Sequence, residues 1–153
     1  MNLMSRILPL QNIVLDLVAT SKKRAFEQAG LLFENHHGLA RTAVFQSLIS
    51  RERLGSTALG HNVAVPHGRL KGLKEPRAAF MRLTDPVRFD ASDDRVANLL
   101  FFVLVPEDAS QTHLDLLAEI ARLVSNPDIR HILATETNAT AIHDVLTQAN
   151  NAD

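Results

Sequence analysis

The residue best placed for chemistry is His67, which stands between a proline and a glycine in the run 60–68. Residues 63–65 alternate valine with alanine, as a packed strand does, and Pro66 holds the strand extended. Gly68 lets the backbone turn and lets another molecule approach closely. We therefore predict a strand that ends at His67 and presents a fixed, reachable imidazole. Such a ring can be a nucleophile or a metal ligand, because its ordinary pKa of about 6.5 leaves it largely neutral at pH 7.

Two further residues could act beside this histidine. His113 falls in the first turn of a predicted helix, on the side that its spacing to later apolar residues assigns to the core. The free N–H groups of a helix start favour an anion there. Arg51 carries a permanent charge on a planar fork that fits phosphate oxygens. Spacing alone does not choose between Arg51 and Arg53. The alternative interpretation is that His113 is a half-buried structural residue and that the arginines lie at a solvated helix end.

The other histidines are interpreted as residues without chemistry. His61 lies in a turn close to His67 and is most simply an exposed polar residue. The remaining four lie on helix faces or at a helix end and are interpreted as solvated: His36, His37, His131 and His143. A different class of function remains open, because His67, His113 and His61 could together form a three-histidine metal site.

Composition excludes several classes of protein. The 153 residues are 46% hydrophobic and 22% charged, which suits one domain spanning 1–153 with a substantial core. A net charge of −1 argues against a nucleic-acid partner, and the absence of cysteine excludes disulfides and cysteine-ligated zinc. The longest apolar run, 99–105, is too short to insert in a membrane. Polar residues interrupt the N-terminal segment too early for a signal peptide, so a cytoplasmic protein is expected.

Alternating and helical hydrophobic patterns predict an α/β fold. The expected strands are 13–18, the strand ending at His67, 78–83 closed by Asp85-Pro86, and 98–106, with a short extended piece at 87–89 leading to Asp93-Asp94. The expected helices are 21–38, 41–54, one capped by Ser110, one starting at Asn126-Pro127 and a last one near 142–149, before a frayed tail at 150–153. The helix after Ser110 has an expected buried stripe of Leu114, Leu117, Ile120, Ala121 and Val124. Strand 98–106 is apolar on both faces, so we predict a mixed parallel and antiparallel sheet covered by helices as an α/β/α sandwich.

A longer pattern surrounds the histidine. Glu52 is followed after six residues by Leu59-Gly60 and, after two more, by the run 63–68. This resembles the phosphohistidine signature of the enzyme IIA domains of the bacterial phosphotransferase system, of the mannitol, fructose and nitrogen-regulatory type. Residues 51–57 are similar to the arginine-containing turn of that family, and 113–121 to its second histidine segment. The resemblance covers about 6–148, with Asn62 where glycine is common; asparagine tolerates the left-handed conformation.

The resemblance implies a function and a set of site residues. His67 would accept a phosphoryl group on Nε2 from an HPr-like phosphocarrier, with no cofactor and no metal. The implied catalytic residues are His67, His113 and Arg51, and the candidate phosphate contacts are Ser56, Thr57 and Gly68. The chain resembles the stand-alone nitrogen-regulatory branch, in which the phosphorylation state would control binding to target proteins such as potassium-uptake systems and sensor kinases.

One alternative stays within the same family. A sugar-specific IIA component would pass the phosphoryl group on to a IIB domain. In either case the donor must dock on a small surface around His67, which we expect to be apolar with a charged rim and to bind weakly. The basic residues that follow the site could lie on this rim or in a solvated loop: Arg69, Lys71, Lys74 and Arg77. No pattern in the sequence predicts an oligomeric state.

Overall fold

A mixed sheet forms the middle layer of the protein in a computed structural model, which describes residues 2–90 and 95–148. Its strands are β1 Ile13–Leu17, β2 Ala58–Gly60, β3 Val63–Ala64, β4 His67–Leu70, β5 Arg77–Asp90 and β6 Arg95–Pro106. The order is β1-β5-β6-β3-β2, and β4 also pairs with β6. The β1–β5, β3–β6 and β4–β6 pairs are parallel, whereas β5–β6 and β2–β3 are antiparallel. The predicted mixed sheet is confirmed.

Six helices and a 3-10 turn complete the described part of the chain. They are α1 Met4–Ile7, the turn Leu10–Asn12, α2 Lys22–His37, α3 Arg41–Glu52, α4 Ser110–Ser125, α5 Pro127–Thr135 and α6 Ala139–Gln148. The Ser21 side chain caps α2 and Gly38 closes it in the left-handed conformation, which agrees with the predicted helix bounds of 21–38. None of the helices in residues 2–90 and 95–148 is long and apolar enough to cross a membrane. The sequence interpretations at Asp93-Asp94, Ala149 and 150–153 lie outside the described residues.

Two hydrophobic cores lie on the two faces of the sheet. Alternate residues of β6 point to opposite sides: Leu100, Phe102 and Leu104 pack in the core under α2 and α3, while Phe101, Val103 and Val105 pack under α1, α4 and α6. Both cores consist of side chains that are almost entirely buried. This arrangement explains why the central strand is apolar on both faces and confirms the α/β/α sandwich.

The strand before His67 differs from the prediction. It breaks at Val65-Pro66, and His67 begins β4 instead of ending β3. Both pieces pair with β6 in one continuous register, so they are two halves of an interrupted strand. The interruption has a local cause, because Pro66 has no N–H to give to the sheet. The expectation of a histidine at a strand end is therefore wrong in detail: His67 lies directly after a break inside the sheet.

Two other boundaries were predicted wrongly. The Asp85-Pro86 pair does not close a strand, because β5 runs through it to Asp90. The pairing of β5 with β6 shifts register between Arg82 and Val87, and a proline is tolerated where a strand bulges. Ser110 is the first residue of α4 and not its cap, which is Ala109 without a side-chain hydrogen bond.

The buried stripe of α4 is also rotated from the predicted one. Ile120 and Val124 are buried as predicted, but Leu114 is 62% exposed and Ala121 is exposed. The core side of the helix includes Glu119, whose carboxylate accepts the N–H groups of Leu3 and Met4 at 2.9 and 2.8 Å. Because Glu119 is charged, a pattern of apolar residues does not assign its position to the buried side of α4.

Candidate functional site

The protonation of His67 is set by its neighbour two residues earlier. Its Nδ1 lies 2.7 Å from the carbonyl oxygen of Val65. Because a carbonyl oxygen only accepts, Nδ1 carries the proton of the neutral ring and Nε2 keeps a lone pair. The carbonyl of Pro66, in turn, accepts the N–H of Val103 in β6, which fixes the broken strand at this point. The break therefore supplies a carbonyl that selects one tautomer of the ring.

The surroundings of His67 keep its ring neutral. Burial lowers its pKa below the ordinary value, and the nearby charge of Arg51 lowers it further. The hydrogen bond to Val65 and the charge of Glu52 act in the opposite direction but do not reverse the shift. His67 is only 7% exposed, yet it lines two surface cavities and is therefore reachable. At pH 7 it is a neutral ring with a free Nε2.

His113 lies directly beside this ring. The two imidazole centroids are 4.8 Å apart in an edge-to-face arrangement. Nε2 of His113 is buried and has no hydrogen-bond partner among the described residues. Burial lowers the pKa of His113 to about 4, and His67, Arg69 and Arg51 contribute in the same direction. Two neutral imidazoles therefore meet at the start of α4.

Arg51 shares both cavities with His67. The larger cavity, of about 470 Å³, is lined by Arg51, His67, Gly68, Arg69 and His113 among others. Arg51 comes from the last turn of α3, and its Nη1 donates to the carbonyl of Gly55 at 2.9 Å. Arg53 is exposed and is not among the residues lining either cavity. The structure therefore places Arg51, and not Arg53, at the cavities beside His67, a choice that the sequence did not allow.

The turn after α3 brings Ser56 and Thr57 to the smaller cavity, of about 170 Å³. The Ser56 hydroxyl accepts the N–H of Ala58 at 3.2 Å. The Thr57 hydroxyl donates to the buried carboxylate of Glu52 at 2.8 Å, so its proton is already used within the protein. Glu52 belongs to the signature pattern, but the sequence analysis gave it no role of its own. The sequence did not predict that Glu52 is buried, because it lies between two arginines at a helix end, where charged residues are usually exposed to solvent.

Gly68 has a different role from the one expected. It lies within β4 and does not adopt a positive φ, so the expectation that it turns the backbone is wrong. A Cβ at this position would lie 3.0 Å from the carbonyl oxygen of Ser47 in α3 and closer still to its hydroxyl. The Ser47 hydroxyl donates to the carbonyl of Arg69 at 2.6 Å. Glycine is needed because α3 packs directly on β4, and this contact brings Arg51 to His67.

Exposed leucines surround the two cavities. Leu54 is 83% exposed beside the larger cavity, and Leu59 is 49% exposed beside the smaller one. Leu114 follows His113 and is also exposed. Arg69 lines the larger cavity together with Leu54, and its Nη1 donates a hydrogen bond to the carbonyl of Glu107. The site therefore opens onto a partly apolar surface.

The other histidines lie elsewhere. His36 and His37 are not simply solvated, since their ring nitrogens lie 2.9 and 2.8 Å from the two ends of the buried Asn12 amide. His143 contacts the carbonyl of Leu8 through Nε2 at 2.8 Å. His61 lies in a turn with a positive φ, as does Asn62. Among residues 2–90 and 95–148 no group of three His, Cys, Asp or Glu side chains could hold a metal ion, so the three-histidine metal site does not form there.

A sandwich that places a histidine beside a second histidine and an arginine has the features of a phosphotransfer domain. The family described as "Phosphoenolpyruvate-dependent sugar phosphotransferase system, EIIA 2" matches residues 6–149. The chain belongs to this family, as the sequence signature predicted, and its members are phosphotransfer components of that system.

The chain is similar to nitrogen regulatory proteins and to a sugar-specific component of the same family. The nitrogen regulatory protein of Pseudomonas aeruginosa is 39% identical over 132 residues, which are 86% of each chain. The crystal structure of nitrogen regulatory protein IIA-Ntr from Neisseria meningitidis is 46% identical, with a TM-score of 0.89 over 95% of this chain and 100% of that one. A fructose-specific EIIA component of Haloferax volcanii is 31% identical over 145 residues, 94% of each chain. These similarities support the role of a phosphocarrier of the IIA type.

Proposed function

We propose that His67 accepts a phosphoryl group on Nε2 from a phosphohistidine of an HPr-like carrier protein. The hydrogen bond between Nδ1 and the Val65 carbonyl supports this proposal, because it leaves Nε2 as the free base at the cavity. The lowered pKa of His67 keeps that nitrogen unprotonated at neutral pH. The ring needs no general base, since the attacking nitrogen has no proton to lose.

The transfer is a single in-line displacement. The lone pair of Nε2 forms a bond to phosphorus while the bond from phosphorus to the carrier's histidine nitrogen breaks, and that nitrogen leaves with the electron pair. The His67 ring becomes cationic, and its Nδ1–H stays on the Val65 carbonyl, which stabilises the positive charge. The reverse reaction follows the same path, so the phosphoryl group can be passed on.

Charge on the moving group is stabilised by Arg51 and His113. Phosphoryl transfer passes through a loose transition state whose charge is spread over three oxygens, so positioned donors and positive charge matter most. Arg51 uses Nη1 to hold Gly55, and the rest of its fork has no partner within the described residues. Nε2 of His113 can donate to a phosphoryl oxygen, which removes the cost of a buried polar atom, about 1–3 kcal/mol. Ser56 lines the smaller cavity, and its hydroxyl is a further candidate contact for the phosphoryl group.

The carrier docks on the surface formed by Leu54, Leu59 and Leu114. Leu54 lines the larger cavity, Leu59 lines the smaller one, Leu114 follows His113 in the chain, and all three side chains are exposed. A small apolar patch with Arg69 at its edge suits a partner that binds weakly and leaves quickly. Arg69 adds electrostatic steering toward an acidic edge of the partner.

The relatives named as nitrogen regulatory proteins support a regulatory output. In this proposal the phosphorylated and unphosphorylated forms of His67 differ in charge beside the leucine patch, so a target protein such as a transporter or a sensor kinase binds one form better. The fructose-specific relative supports a second candidate function, in which a IIB domain takes the phosphoryl group from His67.

The first experiment tests the acceptor. The protein is incubated with enzyme I, an HPr-like carrier and phosphoenolpyruvate, and its mass is measured intact. We expect the mass to rise by one phosphoryl group that acid removes, and His67→Ala to show no gain. His131→Ala, an exposed helix position, is the matched control and should gain the group as the wild type does. Failure of every competent donor to phosphorylate the wild type would overturn the proposal.

A second measurement separates the two outputs. The phosphorylated protein is mixed with purified IIB domains, and target binding is compared between wild type and His67→Ala in parallel captures from lysate. The regulatory role is supported if the protein keeps its phosphoryl group and if wild type and His67→Ala capture different partners. Rapid transfer to a IIB domain, with a sugar-uptake defect on deletion of the gene, supports the sugar-specific alternative.

A further inference from the structure

Glu52 is a buried carboxylate at the end of α3, and the phosphoryl transfer described above does not use it directly. It is 6% exposed, and among the described residues no Lys, Arg or His side chain forms an ion pair with it. Its two oxygens accept the N–H of Thr57 at 3.2 and 2.9 Å, and one also accepts the Thr57 hydroxyl at 2.8 Å. Burying a carboxylate costs free energy unless it is hydrogen-bonded, and here a single residue, Thr57, makes all three of these hydrogen bonds to Glu52.

The bonds of Glu52 continue through Thr57 to the acceptor ring. The carbonyl of Thr57 accepts the N–H of Val65 at 3.0 Å. The carbonyl of Val65 then faces Nδ1 of His67 at 2.7 Å. Three successive contacts therefore join the carboxylate to the imidazole, and each one fixes the position of the next group.

The same carboxylate also fixes the turn that holds Arg51. Thr57 ends this turn, and its attachment to Glu52 ties the end of the turn back to α3. Inside the turn, the N–H of Gly55 donates to the main-chain carbonyl of Glu52 at 3.2 Å. The carbonyl of Gly55 in turn accepts from Nη1 of Arg51 at 2.9 Å.

We propose that Glu52 is a positioning residue that holds Thr57 and thereby places both the Val65 carbonyl against His67 and the Gly55 carbonyl against Arg51. The inference rests on the proposed function of His67 as phosphoryl acceptor. Glu52 touches neither the reacting nitrogen nor the incoming group, so it acts only through these contacts and its charge. The charge contributes because the His67 ring becomes cationic when Nε2 is phosphorylated, and a carboxylate nearby stabilises a cation.

The test compares Glu52→Ala with Glu52→Gln. Alanine removes all the bonds to Thr57, whereas glutamine keeps one acceptor oxygen, which can take the Thr57 N–H and hydroxyl as Oε1 does, and replaces the charge and the second acceptor by an NH2 group. The first readout is the tautomer of His67, taken from the ring nitrogens in long-range proton–nitrogen NMR spectra of the unphosphorylated protein. The second readout is the rate of phosphorylation by the carrier.

We expect wild type to show the Nδ1–H tautomer alone and Glu52→Ala to show a mixture of both tautomers. The rate should fall by about 100-fold in Glu52→Ala, because a small displacement of reacting groups costs that much. Glu52→Gln should keep the tautomer and lose less than tenfold in rate. Glu119→Ala is the matched control, since Glu119 is equally buried but accepts N–H groups from α1; it should lower the melting temperature and leave the tautomer unchanged.

A folded Glu52→Ala with the wild-type tautomer and the wild-type rate would overturn the inference. If that variant does not fold, Thr57→Val and Thr57→Ser decide the question. Valine removes the hydroxyl contact and serine keeps it, so a difference in tautomer and rate supports the inference and identical behaviour contradicts it. If no donor phosphorylates the wild type, the proposed function fails, while the ring spectra still show whether Glu52 sets the tautomer.

Discussion

At the scale of single residues, the chemistry of His67 depends on which ring nitrogen carries the proton. The Val65 carbonyl places that proton on Nδ1, and burial with the charge of Arg51 prevents a second proton from occupying Nε2. In the proposed transfer Arg51 would therefore have two effects, because its charge keeps Nε2 of His67 unprotonated beforehand and would attract the phosphoryl oxygens during the reaction. The two effects can be separated by experiment.

Replacing Arg51 with glutamine should slow phosphorylation of His67 by about 10- to 100-fold, since a hydrogen bond to a charged group contributes about 1.5–3 kcal/mol. The pKa of His67 should rise in the same variant, because the positive charge that lowers it is gone. The rate is measured with phosphorylated carrier, and the pKa by NMR titration of the ring. Arg53→Gln is the control at an exposed neighbouring position and should change neither value. A wild-type rate of phosphorylation in Arg51→Gln would contradict the proposed role of Arg51.

At the scale of elements, the end of α2 is tied to the sheet by a network that requires a neutral histidine. The Asn12 amide is fully buried and donates to the carbonyl of Ala78 in β5 at 2.9 Å. That bond orients the amide, so its nitrogen faces His37 and its oxygen accepts from His36. His37 must accept through Nε2, and a protonated ring has no lone pair for this. Burial and the charge of Arg77 accordingly lower the pKa of His37.

This network makes the fold sensitive to acid. A group whose pKa is lower in the folded than in the unfolded state binds fewer protons when folded, so stability falls as the pH drops below about 6.5 toward the folded value. His67 and His113 have lowered pKa values too and act in the same direction. We expect the melting temperature to fall between pH 7 and pH 5, and to fall less in His37→Gln, whose side chain accepts from Asn12 without titrating. His131→Gln should follow the wild type, and equal slopes in all three proteins would contradict this account.

The elements also show what the sequence could and could not reveal. The central strand, the capped helix α2 and the His67 signature were predictable because they depend on local pattern and turn chemistry. The break at Val65-Pro66 was not, because the register that joins β3 and β4 is set by β6, far away in sequence. The buried face of α4 was missed for a related reason, since the partner of Glu119 is the start of α1. The choice between Arg51 and Arg53 required the packing of α3 on β4.

At the scale of the whole molecule, the site draws on all three layers of the sandwich. Arg51 comes from α3 on one face of the sheet, His113 from α4 on the other, and His67 from the strand between them. The contact of Gly68 with Ser47 sets the distance between α3 and the sheet. The cavity therefore exists only when both cores are packed, so the proposed phosphorylation site depends on the complete fold.

The surface around that cavity gives the last prediction, which concerns docking. A glutamate at Leu54, the most exposed of the three leucines, places a charge in the proposed apolar contact. Leu54→Glu should raise the KM for phosphorylated carrier by about tenfold or more, because a lost contact of about 1.4 kcal/mol has that effect. The rate at saturating carrier should fall much less, and the His67 tautomer should stay unchanged, since Leu54 does not touch the ring's hydrogen bonds. Initial rates over a range of carrier concentrations measure both constants.

Val18→Glu is the matched control for this docking test, because Val18 is 73% exposed and follows β1, which β5 and β6 separate from β4. The same charge placed there should leave KM unchanged if the leucine patch is the docking surface. An equal rise of KM in both variants would mean that net charge alone governs the encounter. An unchanged KM in Leu54→Glu would place the docking surface elsewhere, even though Leu54 lines the same cavity as His67, the proposed acceptor.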